Sequence, residues 1–204
     1  LLLYNYPNLD LFSGFKSKSS SNSIVYHGQM IRERGIFDLI NAISIIIETY
    51  PNISLKLIGW FTNKIEKINA RKLVEKKNIN QYVHFCESVD HADIPAMLAK
   101  ATIGVSPLHH IRKFQRNIPT KVFEYMACGL SIIASDLAPT RKLKYSEKWC
   151  TFYKAGDVNA LVEALKYILD NKDKENYVAH RLFIEEFNWE AQEGKLLSQY
   201  KAIL

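Results

Sequence analysis

Lys121 and Glu124 are the residues of this chain whose types and spacing most invite chemistry. They lie in the stretch 117–136, NIPTKVFEYMACGLSIIASD, which reads as a helix followed by a buried strand. Pro119 suits a first helical turn, and Asn117 or Thr120 can cap the free backbone N–H groups there. Val122, Phe123, Met126 and Ala127 make an apolar face at helical spacing, and Gly129 supplies a left-handed stop. A lysine in the first turn opposes the helix dipole at a cost of about 0.3–1 kcal/mol. That cost makes sense if an anion docks where the backbone N–H groups already converge. Glu124, one turn on, is an acceptor for sugar hydroxyls lying beyond a phosphate. A phosphate beside a polyol describes a nucleotide sugar or a close analogue. The plain alternative is a surface ion pair between Lys121 and Glu124, worth about 0.2–0.5 kcal/mol. Taken alone the pair favours that alternative slightly, so the rest of the chain has to decide.

The rest supplies a second cation and a place to put it. The segment 24–27 reads as a strand ending at Gly28, and the polar loop QMIRERG that follows carries Arg32 and Arg34. Further along, helices are expected at 36–50, 64–77, 94–100, 158–169, 174–186 and from Trp189 onward. Strands are expected at 53–58, 82–85, 102–106, 131–134 and 150–153, with a shorter strand-like segment before Pro7. In the 64–77 helix the candidate core contacts are Ile65, Ile68, Leu73 and Val74. Strands and helices alternate, which argues right-handed βαβ units. The expected fold is therefore α/β: a doubly wound, mostly parallel, Rossmann-like sheet with helices on both faces. Such sheets bind ligands beyond the carboxyl ends of their strands. Arg34 and Lys121 reach that edge from different loops, and Gly28 lets a ligand approach the backbone. Two cations converging on one rim is the layout a diphosphate needs.

Composition narrows the classes. Of 204 residues 48% are hydrophobic and 24% charged, an ordinary globular balance with room for one large domain. The net charge of +6 suits an anionic ligand, but the basic residues are scattered, as in Lys64, Lys67, Arg71, Lys72, Lys76 and Lys77. That run reads as a solvated helix face, and nucleic acid is not an expected partner. Cys86, Cys128 and Cys150 have no metal-ligand spacing and read as free thiols in a reducing cytoplasm. No stretch reaches the length of a membrane span. Neither a G-x-G-x-x-G nor a G-x-x-x-x-G-K-[ST] follows the first strand, which disfavours a dinucleotide oxidoreductase and a P-loop enzyme. His109 and His110 are adjacent, with no carboxylate or cysteine near them in sequence, and carry no metal pattern.

These motifs, in this order, resemble the C-terminal, donor-binding half of the group 1 (family 4) retaining glycosyltransferases of GT-B fold. The likeness runs through Asn5-Tyr6-Pro7, Tyr26-His27-Gly28, Arg34-Gly35, Leu57-Ile58-Gly59, Val83-His84-Phe85, Pro119-Thr120-Lys121, the 123–129 segment FEYMACG, and Phe187-Asn188-Trp189-Glu190. It implies residues 1–23 as an inter-domain connector, 24–204 as a nucleotide-sugar-binding domain, and an N-terminal acceptor domain absent from this chain. It implies that Arg34 and Glu124 serve the reaction, Arg34 on the donor diphosphate and Glu124 on the ribose hydroxyls. Gly28, Thr120 and Lys121 would assist, Asn117 and Pro119 would touch the transferred sugar, and Ser88 and Val89 would meet the base. No metal or cofactor is implied. The partners would be a nucleotide sugar donor, the missing domain, and a glycan or lipid-linked acceptor of cell-surface polysaccharide. The protein would be cytoplasmic, with peripheral membrane contact through the absent domain. Two positions depart from the family pattern. Arg116 stands where a first glutamate is common, and Gln29 where an arginine often follows the first-strand glycine. They leave a non-catalytic nucleotide-sugar-binding or scaffold module as the alternative.

Overall fold

A computed structural model describes residues 3–17, 22–171 and 177–203. A six-stranded parallel sheet runs in the order β3-β2-β1-β4-β5-β6. Its strands are β1 (Asn22–His27), β2 (Ile53–Ile58), β3 (Val83–Cys86), β4 (Ile103–Ser106), β5 (Ser131–Ser135) and β6 (Cys150–Tyr153). The chain winds outward from β1 through β2 to β3, then crosses to the other side of β1 to lay down β4. The sheet therefore reverses its winding between β1 and β4, and a crevice opens at the carboxyl ends of those two strands. They pair in register, Ile24 opposite Ile103 and Val25 opposite Gly104.

Alternation along each strand divides the core into two layers. Ile24 and Tyr26 of β1 face one side, with α2 (Ile36–Ile46), α3 (Lys64–Lys76) and α8 (Val158–Asp170). Val25 faces the other, with α4 (Ile94–Leu98), α5 (Thr120–Ala127) and α9 (Tyr177–Glu185). Both layers are aliphatic and aromatic, and burial on both faces explains why the strands read as near-continuous apolar runs.

The differences from the sequence expectation have local causes. Residues 3–8 form no strand, and a short helix α1 (Leu9–Phe12) follows them, with Phe12 buried under α5 and α9. This segment is tied to α10 (Trp189–Ile203): Trp189 N donates to Pro7 O at 3.0 Å, and Gln192 brackets Tyr4 through its backbone N and O. Of the expected connector at 1–23, residues 1–2 and 18–21 lie outside the described residues, whereas Asn22 and Ser23 already belong to β1. In α3 the expected contacts Leu73 and Val74 pack on the core together with Ala70, whereas Ile65 and Ile68 are 71% and 50% exposed. Ala70, Leu73 and Val74 share one face of the helix, and Ile65 and Ile68 lie away from it on the outer side. Helix α9 begins at Tyr177, and the earlier start read at Lys174 lies outside the described residues. Among the described residues no helix is long and apolar enough to cross a membrane.

Candidate donor site at the reversal of the sheet

Helix α5 starts at the crevice between β1 and β4. Its N-cap position is Pro119, and no side chain caps it, so the expected capping by Asn117 or Thr120 does not form. Proline has no side-chain acceptor, and Asn117 is exposed two residues too early. The amino end of this helix is left open toward the crevice. Every residue from Lys121 to Ala127 is buried, the two charged ones included.

Lys121 and Glu124 do not pair with each other. Lys121 is 4% exposed; its Nζ lies 3.8 Å from the centre of the Tyr26 ring and has no hydrogen-bond partner. Burial pulls its pKa well below the ordinary lysine range, and the nearby Arg34 guanidinium pulls it further, with Glu124 opposing. A buried ammonium with only an aromatic face for company is a costly group to keep. Arg34 reaches the same place from a single 3-10 turn, Arg32–Arg34, after β1. It lies beside the Tyr26 phenol, and its buried Nε has no hydrogen-bond partner. Gly35 makes that turn possible: its φ is +74°, and a β-carbon there would lie 1.8 Å from Pro107 O, at the end of β4. Gly28, with φ +111°, sits at the mouth of the crevice, where a β-carbon would stand 3.7 Å from Lys121 Nζ. The expected convergence of Gly28, Arg34 and Lys121 is what the structure brings together.

Glu124 is held by two histidines. His27, the last residue of β1, places Nε2 2.7 Å from Oε2, off the hydrogen-bond direction. His91, from the turn before α4, places Nε2 2.9 Å from Oε1 in a hydrogen bond. Burial alone would push this carboxyl up, yet the two imidazoles override it and hold the pKa down at about 2. Glu124 is thus an anion at any physiological pH, ready to accept from neutral hydroxyls.

The chain matches the model of the glycosyl transferases group 1 over residues 10–181. It belongs to that family. Among curated relatives it is 25% identical to phosphatidyl-myo-inositol mannosyltransferase of Mycobacterium leprae, covering 83% of this chain and 43% of that protein. Among solved structures, sucrose-phosphate synthase from Thermosynechococcus elongatus superposes with a TM-score of 0.75 at 25% identity, over 98% of this chain and 50% of that one. Anabaena HepE in complex with UDP and glucose superposes at TM-score 0.82 and 14% identity, over 99% of this chain and 57% of that one. This chain spans about half the length of the relatives it matches. Its Rossmann-like sheet is that of a GT-B glycosyltransferase domain.

Within this group 1 domain the other expected site residues are less closely gathered. Pro119 and Thr120 are half-buried at the start of α5, and Asn117 and Arg116 are exposed on the loop before it. Ser88 and Val89 are exposed on the loop after β3, and Ser88 borders a cavity of about 410 Å³ with Trp60, Phe61, Lys67, Arg71 and Phe85. Gln29 offers its backbone O to the Tyr26 hydroxyl at 2.6 Å and so fixes the phenol under Lys121. His109 places Nε2 2.6 Å from Asp38 Oδ2, a carboxylate distant in sequence. Sequence reasoning missed His27, His91 and Tyr26. His27 carried a usable signal, a polar residue ending an otherwise apolar strand at the ligand-binding edge. His91, in a polar loop, carried none.

Proposed function

We propose that this chain is the donor-binding half of a retaining glycosyltransferase. It would move a sugar from a nucleoside diphosphate sugar to a glycan or lipid-linked acceptor during synthesis of cell-surface polysaccharide. The observation that carries this reading is the pair of buried, unpartnered cationic nitrogens, Lys121 Nζ and Arg34 Nε, at the open end of α5. An anion of diphosphate size satisfies both together with the helix end, and group 1 membership points to a nucleoside diphosphate as that anion. HepE, a fold neighbour, has been captured with UDP and with UDP-glucose.

In the reaction, negative charge grows on the leaving diphosphate as the glycosidic bond breaks. Arg34, Lys121 and the α5 N–H groups would face that charge, which is how preorganised dipoles lower a barrier. Glu124 takes the ribose hydroxyls, Asn117 and Pro119 border the transferred sugar, and Ser88 and Val89 border the base. The side chains for this chemistry are cationic and backbone donors, and the reading needs no metal or cofactor. Attack from the face the leaving group occupies retains the anomeric configuration without a second carboxylate nucleophile. The acceptor would come from a partner N-terminal domain. The outer part of α10, with Leu197 and Tyr200 exposed, offers an apolar strip for contact with it. Without that domain the chain would bind donor and transfer poorly. Placement in the cytoplasm, with membrane contact through the other domain, belongs to the same reading.

Calorimetric titration with UDP, GDP and ADP tests it. One nucleotide should bind, and Arg34→Ala should weaken it at least about thirtyfold, the effect of truncating a charge-paired buried group. Wild-type protein that ignores all three at millimolar concentration would count against donor binding. The second reading, a non-catalytic binding module, draws on Arg116 and Gln29 at positions where the family often has other residues. Sugar transfer on adding an N-terminal partner domain would exclude it.

A further inference from the structure

A ribose arriving at Glu124 meets a carboxylate whose oxygens are each already approached by one imidazole, Oε1 in a hydrogen bond and Oε2 off the hydrogen-bond direction. The two histidines differ sharply in freedom. His27 is part of a central strand and its side chain is 10% exposed, so it cannot leave without disturbing β1. His91 projects from a three-residue turn in the exposed stretch 87–93, and its side chain is 58% exposed. Its other neighbour is the edge of the Phe12 ring, 6.2 Å away, which restrains it weakly.

We propose that His91 is a removable stand-in for the donor's diol: it occupies Glu124 Oε1 in the empty site and is displaced when vicinal hydroxyls arrive, while His27 stays and orients the carboxylate. The inference rests on the donor-binding reading and assigns this chain a residue that sets its selectivity for ribose over a sugar lacking the diol. A carboxylate left bare in a buried crevice would be costly, and a tethered imidazole keeps it solvated by protein until the ligand comes. An exchange of this kind makes the empty site cheap to maintain and makes binding depend on what replaces the imidazole. A ligand with a diphosphate but no diol gains the cations and the helix end, yet offers nothing to release His91. The charged group facing His91 from the packed elements is Glu124 of α5, with His27 of β1 and Lys121 of α5 behind that carboxylate. Asp90 and Asp93 flank it on its own loop. The Glu124 hydrogen bond raises the pKa of His91, so the stand-in grips harder when protonated. Donor affinity should therefore rise as pH is raised through that value.

The test uses proton NMR of the histidine rings and calorimetry on the 204-residue chain. UDP, GDP, ADP and the 2′,3′-dideoxy form of each are the probes, and His91→Ala identifies the His91 resonance. The expected result is that the raised His91 pKa falls back on binding the diol nucleotide and stays raised with its dideoxy form. His91→Ala should bind the diol nucleotide about two- to fivefold tighter, the range an exposed ion pair commands. His91→Gln keeps a neutral donor and should hold near wild-type affinity with a flatter pH dependence. Nucleotide binding that leaves the His91 titration unmoved, or that His91→Ala weakens, overturns the inference and leaves the donor-binding reading intact. If neither wild type nor His91→Ala binds any nucleotide, the donor-binding reading fails and takes the inference with it.

Discussion

Helices α3 and α5 both begin just beyond the carboxyl end of a strand, and both carry a lysine in the first turn. Their starts are otherwise opposites. At α3, Asn63 accepts from Glu66 N at 2.8 Å, and Glu66 in turn accepts from Arg32 N at 3.0 Å, so the helix end is closed by its own neighbourhood. Its lysines lie in water, and only Ala70 and Val74 are buried. At α5, Pro119 caps nothing, and Lys121 is buried against Tyr26 without a hydrogen-bond partner. One helix satisfies itself; the other leaves unmet what a ligand can supply. Local conflict with the rules of helix formation is the mark of a site when a buried charge accompanies it.

Substitutions that exchange the properties of the two starts probe this contrast. The largest effect is expected from Lys121→Met, which should weaken nucleoside diphosphate binding by at least about thirtyfold. Lys64→Met, equally a first-turn lysine, should leave it unchanged in the same calorimetric titration. Equal losses from both would mean general electrostatic attraction and erase the distinction.

Stability should move the other way. Replacing a buried, unpaired ammonium with an isosteric apolar chain should raise the unfolding free energy by on the order of 1–3 kcal/mol at neutral pH, read from urea midpoints. The pH dependence follows from linkage. The folded state depresses the Lys121 pKa below the ordinary 10.5, so between those values the unfolded chain holds more protons than the folded one. Wild-type stability should therefore gain from this group as pH rises through that window, and Lys121→Met should flatten the gain.

Asn63→Ala tests the closed start and should cost about 1 kcal/mol of stability without touching nucleotide affinity. The smallest effect is expected at the solvated face: Lys72→Ala should shift stability by less than about 0.5 kcal/mol and binding not at all. A larger change there would show that the α3 face is more than a solvated surface.

Much of this architecture is legible residue by residue. The apolar runs at 53–58 and 131–134, the strict alternation of strand and helix, and the glycines closing strands specify a parallel, doubly wound sheet, because local burial and turn chemistry have short range. Lys121 announced itself by being wrong for its position, and Arg34 by following a strand that ends in glycine. Where the reading slipped, the cause was packing. Ile65 and Ile68 are apolar, but they lie on the other side of α3 from Val74, and the sheet takes the face of Ala70, Leu73 and Val74. That His27 and His91 meet at Glu124 could not be read, although His27 signalled itself as a polar end to an apolar strand. His91 lies 33 positions away along the chain, and His27 belongs to another strand's end. The sequence alone decided which residues are chemically able and which edge of the sheet they share. Only the tertiary structure decided that Glu124 answers to two histidines rather than to Lys121, because the end of β1 and a turn of the crossing from β3 to β4 meet at a single buried carboxylate.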